Sequence, residues 1–177
     1  MPEREVTTAQ LLLAEYQTLK DEQKTRIGFR DNLLYVTLTI VAAVIAAAAQ
    51  AKQSAMLLAL PPVTVVLGWT YLVNDDKISA IGTYVREDLG PRLAELARTE
   101  RAFGWETGHR GDPRRRSRKI IQSVIDLLAF CAVPLAGLTV YWAAGQTTPG
   151  LLALSLFEAL TVVVLGSQIL LYAWPFA

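Results

Sequence analysis

Four long apolar blocks constrain this sequence more than any other feature. They cover residues 33–50, 56–73, 120–144 and 151–174. The first two contain no charged residue, and the third and fourth contain one carboxylate each, Asp126 and Glu158. A helix needs roughly 20 residues to cross the ~30 Å hydrocarbon core of a bilayer, with about 17 to 25 as the usual range. The blocks therefore predict four transmembrane helices.

The alternative to a membrane protein is a soluble bundle with fully buried helices. A soluble helix needs a polar face toward water, and none of the four blocks has one that is wide enough. Hydrophobic residues make up 53% of the chain, more than is usual for soluble proteins. We therefore expect an all-α, polytopic membrane protein over 1–177, with four transmembrane helices in two hairpins and with cytoplasmic amphipathic helices.

The basic residues predict how the helices are oriented. Sixteen of the 17 Lys and Arg residues precede the first block or lie between the second and third. Lys52 alone lies in the first hairpin turn, and the second turn has none. Because cytoplasmic loops carry the excess of Lys and Arg, both termini and the central segment 74–119 are predicted to be cytoplasmic. The expected location is the cell membrane.

The segment 7–31 predicts a cytoplasmic helix ahead of the first span. Thr7 and Gln10 have the spacing of a capping box, in which each side chain bonds the other residue's backbone N–H. Leu12, Tyr16 and Leu19 then form an apolar stripe. This helix would lie on the membrane surface, pack on the central segment or mediate self-association, and packing on the central segment is the favoured interpretation.

The central segment predicts a second amphipathic helix. Four apolar residues recur there at helical spacing and form a predicted partner-helix face: Ile78, Ile81, Val85 and Leu89. Gly90 and Pro91 should end this helix and begin another, because proline is tolerated in a first turn. Residues 104–118 are polar and glycine-containing, which predicts a linker.

Polar residues on the fourth block form the main candidate site. Glu158 lies roughly 10 Å inside the bilayer boundary, where a carboxylate is costly and marks a functional site by default. Four polar residues share its side of the helix: Ser155, Thr161, Gln168 and Tyr172. The opposite side is apolar. The site is either a cavity accessible to protons or cations, or a protonated glutamic acid hydrogen-bonded to a neighbouring helix.

Asp126 marks an inward face of the third block. It lies about two turns from the cytoplasmic end, whereas Glu158 approaches from the other leaflet, so we expect no close carboxylate pair. Arg118 or Lys119 could reach back to Asp126, because long basic side chains extend along apolar surface. The second block likewise has polar residues, Thr64 and Tyr71, on one side.

A basic cluster adjoins the third block and predicts contact with anionic lipid, at about 1 kcal/mol per charge. It consists of Arg114, Arg115, Arg116, Arg118 and Lys119. Nucleic-acid binding is not expected, because acidic residues are interspersed through the loop. With one histidine, His109, and one cysteine, Cys131, the sequence predicts no metal site and no cofactor. It also lacks the usual nucleophile and nucleotide motifs, so we expect no enzyme.

One segment carries a resemblance to known proteins: YLVNDDKISAIGTYVREDLGPRL. It resembles a segment of uncharacterised bacterial, actinobacterial-type integral membrane proteins. Over about residues 10–105, the plan of amphipathic helix, hairpin and cytoplasmic helix is similar to that of SLATT-type membrane effectors. That resemblance implies pore formation in bacterial defence. The second hairpin is additional to the two-span plan of those effectors.

Two functions follow from these patterns. The leading one is a self-associating membrane module that passes ions or protons near Glu158. Four spans leave little interior volume, so a pathway would form more easily between copies. The alternative is a non-conducting scaffold or regulatory subunit whose cytoplasmic helices bind a soluble protein. An enzyme that modifies lipids or isoprenoids is the least favoured, since no constellation of nucleophile and base is visible.

Overall fold

The computed structural model describes residues 7–100, 102–103, 115–145 and 148–173, and only the backbone of Arg115 and Arg116. All regular secondary structure in this part of the chain is helical, without a strand. The α-helices are α1 Thr8–Ala51, α2 Leu60–Tyr84, α3 Gly90–Leu96, α4 Arg115–Leu127, α5 Val133–Ala143 and α6 Pro149–Ala173.

Short 3-10 and π-helical segments join some of these α-helices into longer helical stretches. A 3-10 helix, Ser54–Ala59, leads into α2. π-Helical turns at Val85–Leu89 and Leu128–Ala132 connect α2 to α3 and α4 to α5. Four helical stretches are consequently long and apolar enough to cross a membrane: Thr8–Ala51, Ser54–Leu96, Ser117–Ala143 and Pro149–Ala173. The predicted all-α fold with four such helices is confirmed.

The N-terminal capping box is confirmed. The backbone N–H of Thr7 donates to Gln10 Oε1 over 3.0 Å, and the N–H of Gln10 donates to Thr7 Oγ1 over 3.3 Å. The helix that follows is longer than predicted, because 7–31 and 33–50 were expected to be separate elements. They form the single helix α1, since no glycine–proline pair or other strong helix breaker lies between them.

The prediction at Gly90 and Pro91 is confirmed in part: the helix α3 begins at Gly90 with Pro91 in its first turn, but the chain does not leave the helical conformation before it. The preceding turn widens instead, and the N–H of Gly90 donates to the carbonyl of Val85, five residues back. A proline ring normally clashes with the carbonyl four residues before it, and the extra residue in a π turn moves that carbonyl away. The same arrangement precedes Pro134, where Val133 donates to Leu128.

The predicted linker is also shorter than expected. Residues 115–118 belong to α4 rather than to a linker, so this helix begins five residues before the predicted span at 120. Residues 104–114, which include His109, lie outside the described residues, as does Trp174 at the end of the fourth predicted span.

The chain divides into two compact units, one of residues 1–29 with 74–115 and one of residues 30–73 with 116–177. In the first unit, Ile81, Val85 and Leu89 pack with Leu12 and Leu93 in one buried cluster. Tyr16 and Leu19 of α1 lie against it. The favoured interpretation of the N-terminal helix, packing on the central segment, is confirmed.

The second unit is a helical bundle with its main core around Phe130. This ring is fully buried, and it contacts Tyr71 at 5.3 Å between ring centroids. Val162 and Leu165 of α6 complete the centre of the cluster. A Cβ added to Gly68 of α2 would lie 2.8 Å from Leu165 Cδ2 and 2.9 Å from Phe130 Cγ. Glycine is therefore required at position 68 for this close approach.

Candidate functional site

The helix α6 has one buried side and one exposed side. Its buried residues recur every three or four positions: Ser155, Glu158, Val162, Leu165 and Ile169. Leu152, Val163 and Leu170, on the opposite side, are 41%, 58% and 55% exposed. The carboxyl and hydroxyl groups of Glu158 and Ser155 therefore face protein, as their position on the helix predicts.

Glu158 carries a buried oxygen without a hydrogen-bond partner. Its side chain is only 6% exposed, and Oε2 has no partner among the described residues. Thr161 Oγ1 donates to the backbone carbonyl of Glu158 over 2.8 Å, and not to this carboxyl oxygen. A buried polar atom without a hydrogen bond costs roughly 1–3 kcal/mol. This carboxyl group is the most unusual polar feature of the second unit.

The hydroxyl of the neighbouring Ser155 forms hydrogen bonds with groups other than the Glu158 carboxyl. Trp142 Nε1–H donates to Ser155 Oγ over 2.8 Å, and that hydroxyl donates to the carbonyl of Leu152 over the same distance. Trp142 was not predicted as a site residue, and only its indole N–H could have suggested it. The hydroxyl of Tyr141 is buried and, within the described ranges, also lacks a partner. Its ring packs in a cluster that Ala159, next to Glu158, flanks.

Two further residues of the predicted polar stripe line a shallow groove between α2 and α6. Thr161 and Gln168 contribute its polar groups, and Trp69 lies on its α2 side. The groove has a volume of about 290 Å³ and is otherwise apolar, with Val65, Leu160, Val164 and Leu165 as its remaining lining. The stripe therefore divides into two parts, the buried Glu158 with Ser155 and the half-buried Thr161 with Gln168 on the outer surface.

The interior beside this groove is closed. Phe130 is 0% exposed and Leu165 is 2% exposed, and both press against the backbone of Gly68. Interiors packed to this degree leave few voids larger than a water molecule. Side chains therefore fill the interior of the second unit at this layer, whereas the surface groove lies beside it.

Asp126 belongs to a separate polar group near the opposite end of the bundle. Gln122 Nε2 donates to Asp126 Oδ1 over 2.9 Å and to the Tyr71 hydroxyl over 2.7 Å. Asp126 and Tyr71 are 8% and 4% exposed. Gln122 was missed from the sequence, although its spacing of four residues from Asp126 on one helix is a known contact distance. The pairing of Asp126 with Arg118 or Lys119 stays a prediction.

Lys119 connects the basic cluster with the polar stripe of α6. Its Nζ lies 4.4 Å from the centre of the Tyr172 ring, within the range of a cation–π interaction. Arg118 is exposed. Arg114 and the side chains of Arg115 and Arg116 lie outside the described residues, so the predicted anionic-lipid contact of this cluster stays a prediction.

The predicted partner-helix face is covered by the chain itself. Ile81, Val85 and Leu89 are 8%, 0% and 0% exposed. The half-buried Ile78 lies on the same side, and its carbonyl accepts a hydrogen bond from Gln23 Nε2 over 3.1 Å. A soluble partner could use this face only if α1 moved away from it.

Within the described ranges, no group of three or more His, Cys, Asp or Glu side chains lies close enough to hold a metal ion. Comparison with known proteins adds no assignment: no family model, curated protein or solved structure matches this chain. The candidate site therefore has to be interpreted from its own geometry.

Proposed function

We propose that this protein is a self-associating membrane module whose assembled form passes protons, with Glu158 as the group that binds and releases them. The orientation we propose places both termini and the central segment in the cytoplasm, following the distribution of basic residues. The buried, unpartnered oxygen of Glu158 is the single observation that carries the proposal.

A proton suits this site better than a larger cation. A metal ion such as calcium takes six to eight oxygen ligands. Around Glu158, the Ser155 hydroxyl already bonds Trp142 and Leu152, and the Thr161 hydroxyl bonds the backbone. A single proton neutralises the carboxyl group without further ligands, and a neutral group is far cheaper to bury than a charge.

The pathway that we propose runs along the groove between α2 and α6. Thr161 and Gln168 lie on α6 three and ten positions after Glu158, about 5 and 15 Å along the helix axis. The layer of Gly68, Phe130 and Leu165 blocks the interior, so a path has to pass outside it. A second copy covering the groove would exclude lipid from Thr161 and Gln168 and enclose a polar path.

The exposed residues beside the groove favour such a contact. Trp69 is 51% exposed and Leu160 and Val164 are 59% and 53% exposed. Thr and Gln side chains commonly hydrogen-bond across the contact between two membrane helices, and Thr161 and Gln168 lie among these exposed residues. The resemblance to SLATT-type effectors, which implies pore formation, points in the same direction.

Proton flux into liposomes tests the function. Purified protein is reconstituted with an internal pH-sensitive dye, and a potassium gradient with valinomycin drives protons inward. We expect flux from the wild type and at least a tenfold loss in Glu158→Gln, which keeps the shape but cannot exchange a proton. Ser167→Ala is the control, because this exposed hydroxyl bonds only its own helix, at Val164. Absence of wild-type flux, or equal flux in Glu158→Gln, refutes the proposal.

Disulfide cross-linking tests the association separately. Val163 and Val164 are adjacent and similarly exposed, at 58% and 53%, but only Val164 lines the groove. The native cysteine, Cys131, is buried and should not interfere. We expect Val164→Cys to form cross-linked dimers in membranes and Val163→Cys to form far fewer. Equal cross-linking of the two variants would remove the proposed interface.

A further inference from the structure

A second groove of the helical bundle has a polar end and an apolar body. It lies between α1, α5 and the 3-10 helix that leads into α2, and its volume is about 620 Å³, within the range of ligand pockets. Its body is lined by aliphatic residues, among them Ile45, Leu57, Val133 and Val140. Lys52, Gln53 and Ser54 form its polar end.

Lys52 is the only charged residue in the two predicted hairpin turns. It is the sole charged residue between Asp31 and Asp75, and residues 127–157 contain none. The turn between the first two spans therefore places the Lys52 ammonium group at a membrane surface. Neither of the two sequence segments just named contains an acidic residue that could pair with it. An anionic head group in the adjacent leaflet can supply the counter-charge.

The backbone of Lys52 indicates that its position is a constrained one. Its φ is +51°, in the left-handed region that glycine prefers. It ends α1 with the pair of bonds of a Schellman motif, from Lys52 N–H to the carbonyl of Ala49 and from Gln53 N–H to that of Ala48. At the end of α5 the residue with positive φ is Gly145. The backbone at Lys52 is therefore constrained, and the side chain that starts from it lines the polar end of the groove.

We propose that this groove is a binding site for an anionic phospholipid, with an acyl chain along the aliphatic body and the phosphate at Lys52. The arrangement matches an amphipathic ligand, because one end offers a cation with two polar side chains and the rest offers only hydrocarbon. The site is distinct from the basic cluster at the start of α4, and it does not depend on proton passage through the α2–α6 groove.

Photolabelling locates the lipid. The protein is reconstituted with phosphatidylglycerol that carries a diazirine in one acyl chain, and labelled peptides are identified by mass spectrometry. We expect labels within residues 45–60 and 133–140, displaced by excess phosphatidylglycerol and about fivefold less well by phosphatidylcholine, which corresponds to ~1 kcal/mol for one lysine near an anionic surface. Equal displacement by the two lipids refutes the charge recognition.

Variants separate the two ends of the site. Lys52→Gly removes the charge and suits the left-handed backbone, so the fold is retained while labelling should fall about fivefold; Lys52→Arg should keep it. Ala136→Phe fills the groove from an exposed position and should abolish labelling. Ala46→Phe, exposed but outside the groove lining, is the control. Unchanged labelling in Lys52→Gly or in Ala136→Phe overturns the proposal. If Ala136→Phe loses dimers but keeps its labelling, the occupant of the groove is a second copy of the chain, and the proposal is likewise overturned.

Discussion

Replacing Gly68 with alanine should destabilise the second unit. The added methyl would lie 2.8 Å from Leu165 Cδ2 and 2.9 Å from Phe130 Cγ, closer than carbon atoms pack. Both partners are almost fully buried and cannot turn toward solvent. Overpacking of this kind typically costs about 1–3 kcal/mol, which raises the unfolding constant by roughly five- to 150-fold.

Gly166→Ala provides a matched comparison within the same unit. A methyl there would lie 3.4 Å from Cys131 Sγ and 3.8 Å from Leu127 Cδ2, which is near ordinary contact. Both substitutions gain helix propensity, roughly 0.5–1 kcal/mol for alanine over glycine. The gain in helix propensity therefore cancels when the free energies of unfolding of the two variants are subtracted. The remaining difference is the packing cost at Gly68.

Unfolding in mixed micelles measures this difference. Helical circular dichroism is followed as the mole fraction of dodecyl sulfate rises, and the free energies of unfolding of the two variants are compared with that of the wild type. We expect the native helical spectra of both variants to match that of the wild type, with Gly68→Ala at least ~1 kcal/mol less stable than Gly166→Ala, the lower end of the overpacking range. If Gly68→Ala is as stable as Gly166→Ala, the tight packing of this layer is refuted.

Three further predictions concern single hydrogen bonds. Thr7→Ala removes the N-terminal cap of α1 and should cost about 0.5–2 kcal/mol, measured as faster amide exchange in the first turn. Trp142→Phe leaves the buried Ser155 hydroxyl without its indole donor and should lower the free energy of unfolding by ~1 kcal/mol. The hydrogen bond from Tyr84 to the Glu15 carboxylate raises the pKa of Tyr84 above its ordinary 10.0, so the stabilisation is present below pH 10 and is lost as the pH rises through the folded-state pKa. Glu15→Gln should return the pKa toward 10.0, as followed by ultraviolet titration of the phenol.

The sequence predicted the helices well where one physical requirement dominated. Apolar blocks long enough to cross a bilayer are recognised by their length and composition, and all four correspond to helical stretches. The capping box of Thr7 and Gln10 was equally visible, because it depends on residues three positions apart. Local spacing on α6 also predicted that Glu158 faces away from Leu152 and Leu170.

Prediction failed where a local signal was outweighed by its neighbours. Gly90 and Pro91 form a strong break signal, yet the helix continues through a π turn. The clash of the proline ring is relieved by one extra residue in that turn, and burial of Val85 and Leu89 in the first unit's core favours keeping the segment helical. Hydropathy and turn propensity contain no information on this compensation.

The amino-acid sequence by itself determined the all-helical class, the four long apolar helices and the side of α6 that carries polar groups, because each depends on residues close together in the chain. Only the tertiary structure decided which polar groups find partners. It joined Gln122 to Tyr71 and Asp126, bonded Trp142 to Ser155, and left one oxygen of Glu158 unsatisfied. Such pairings depend on how distant helices pack against each other, and a periodic pattern along one helix does not specify that packing.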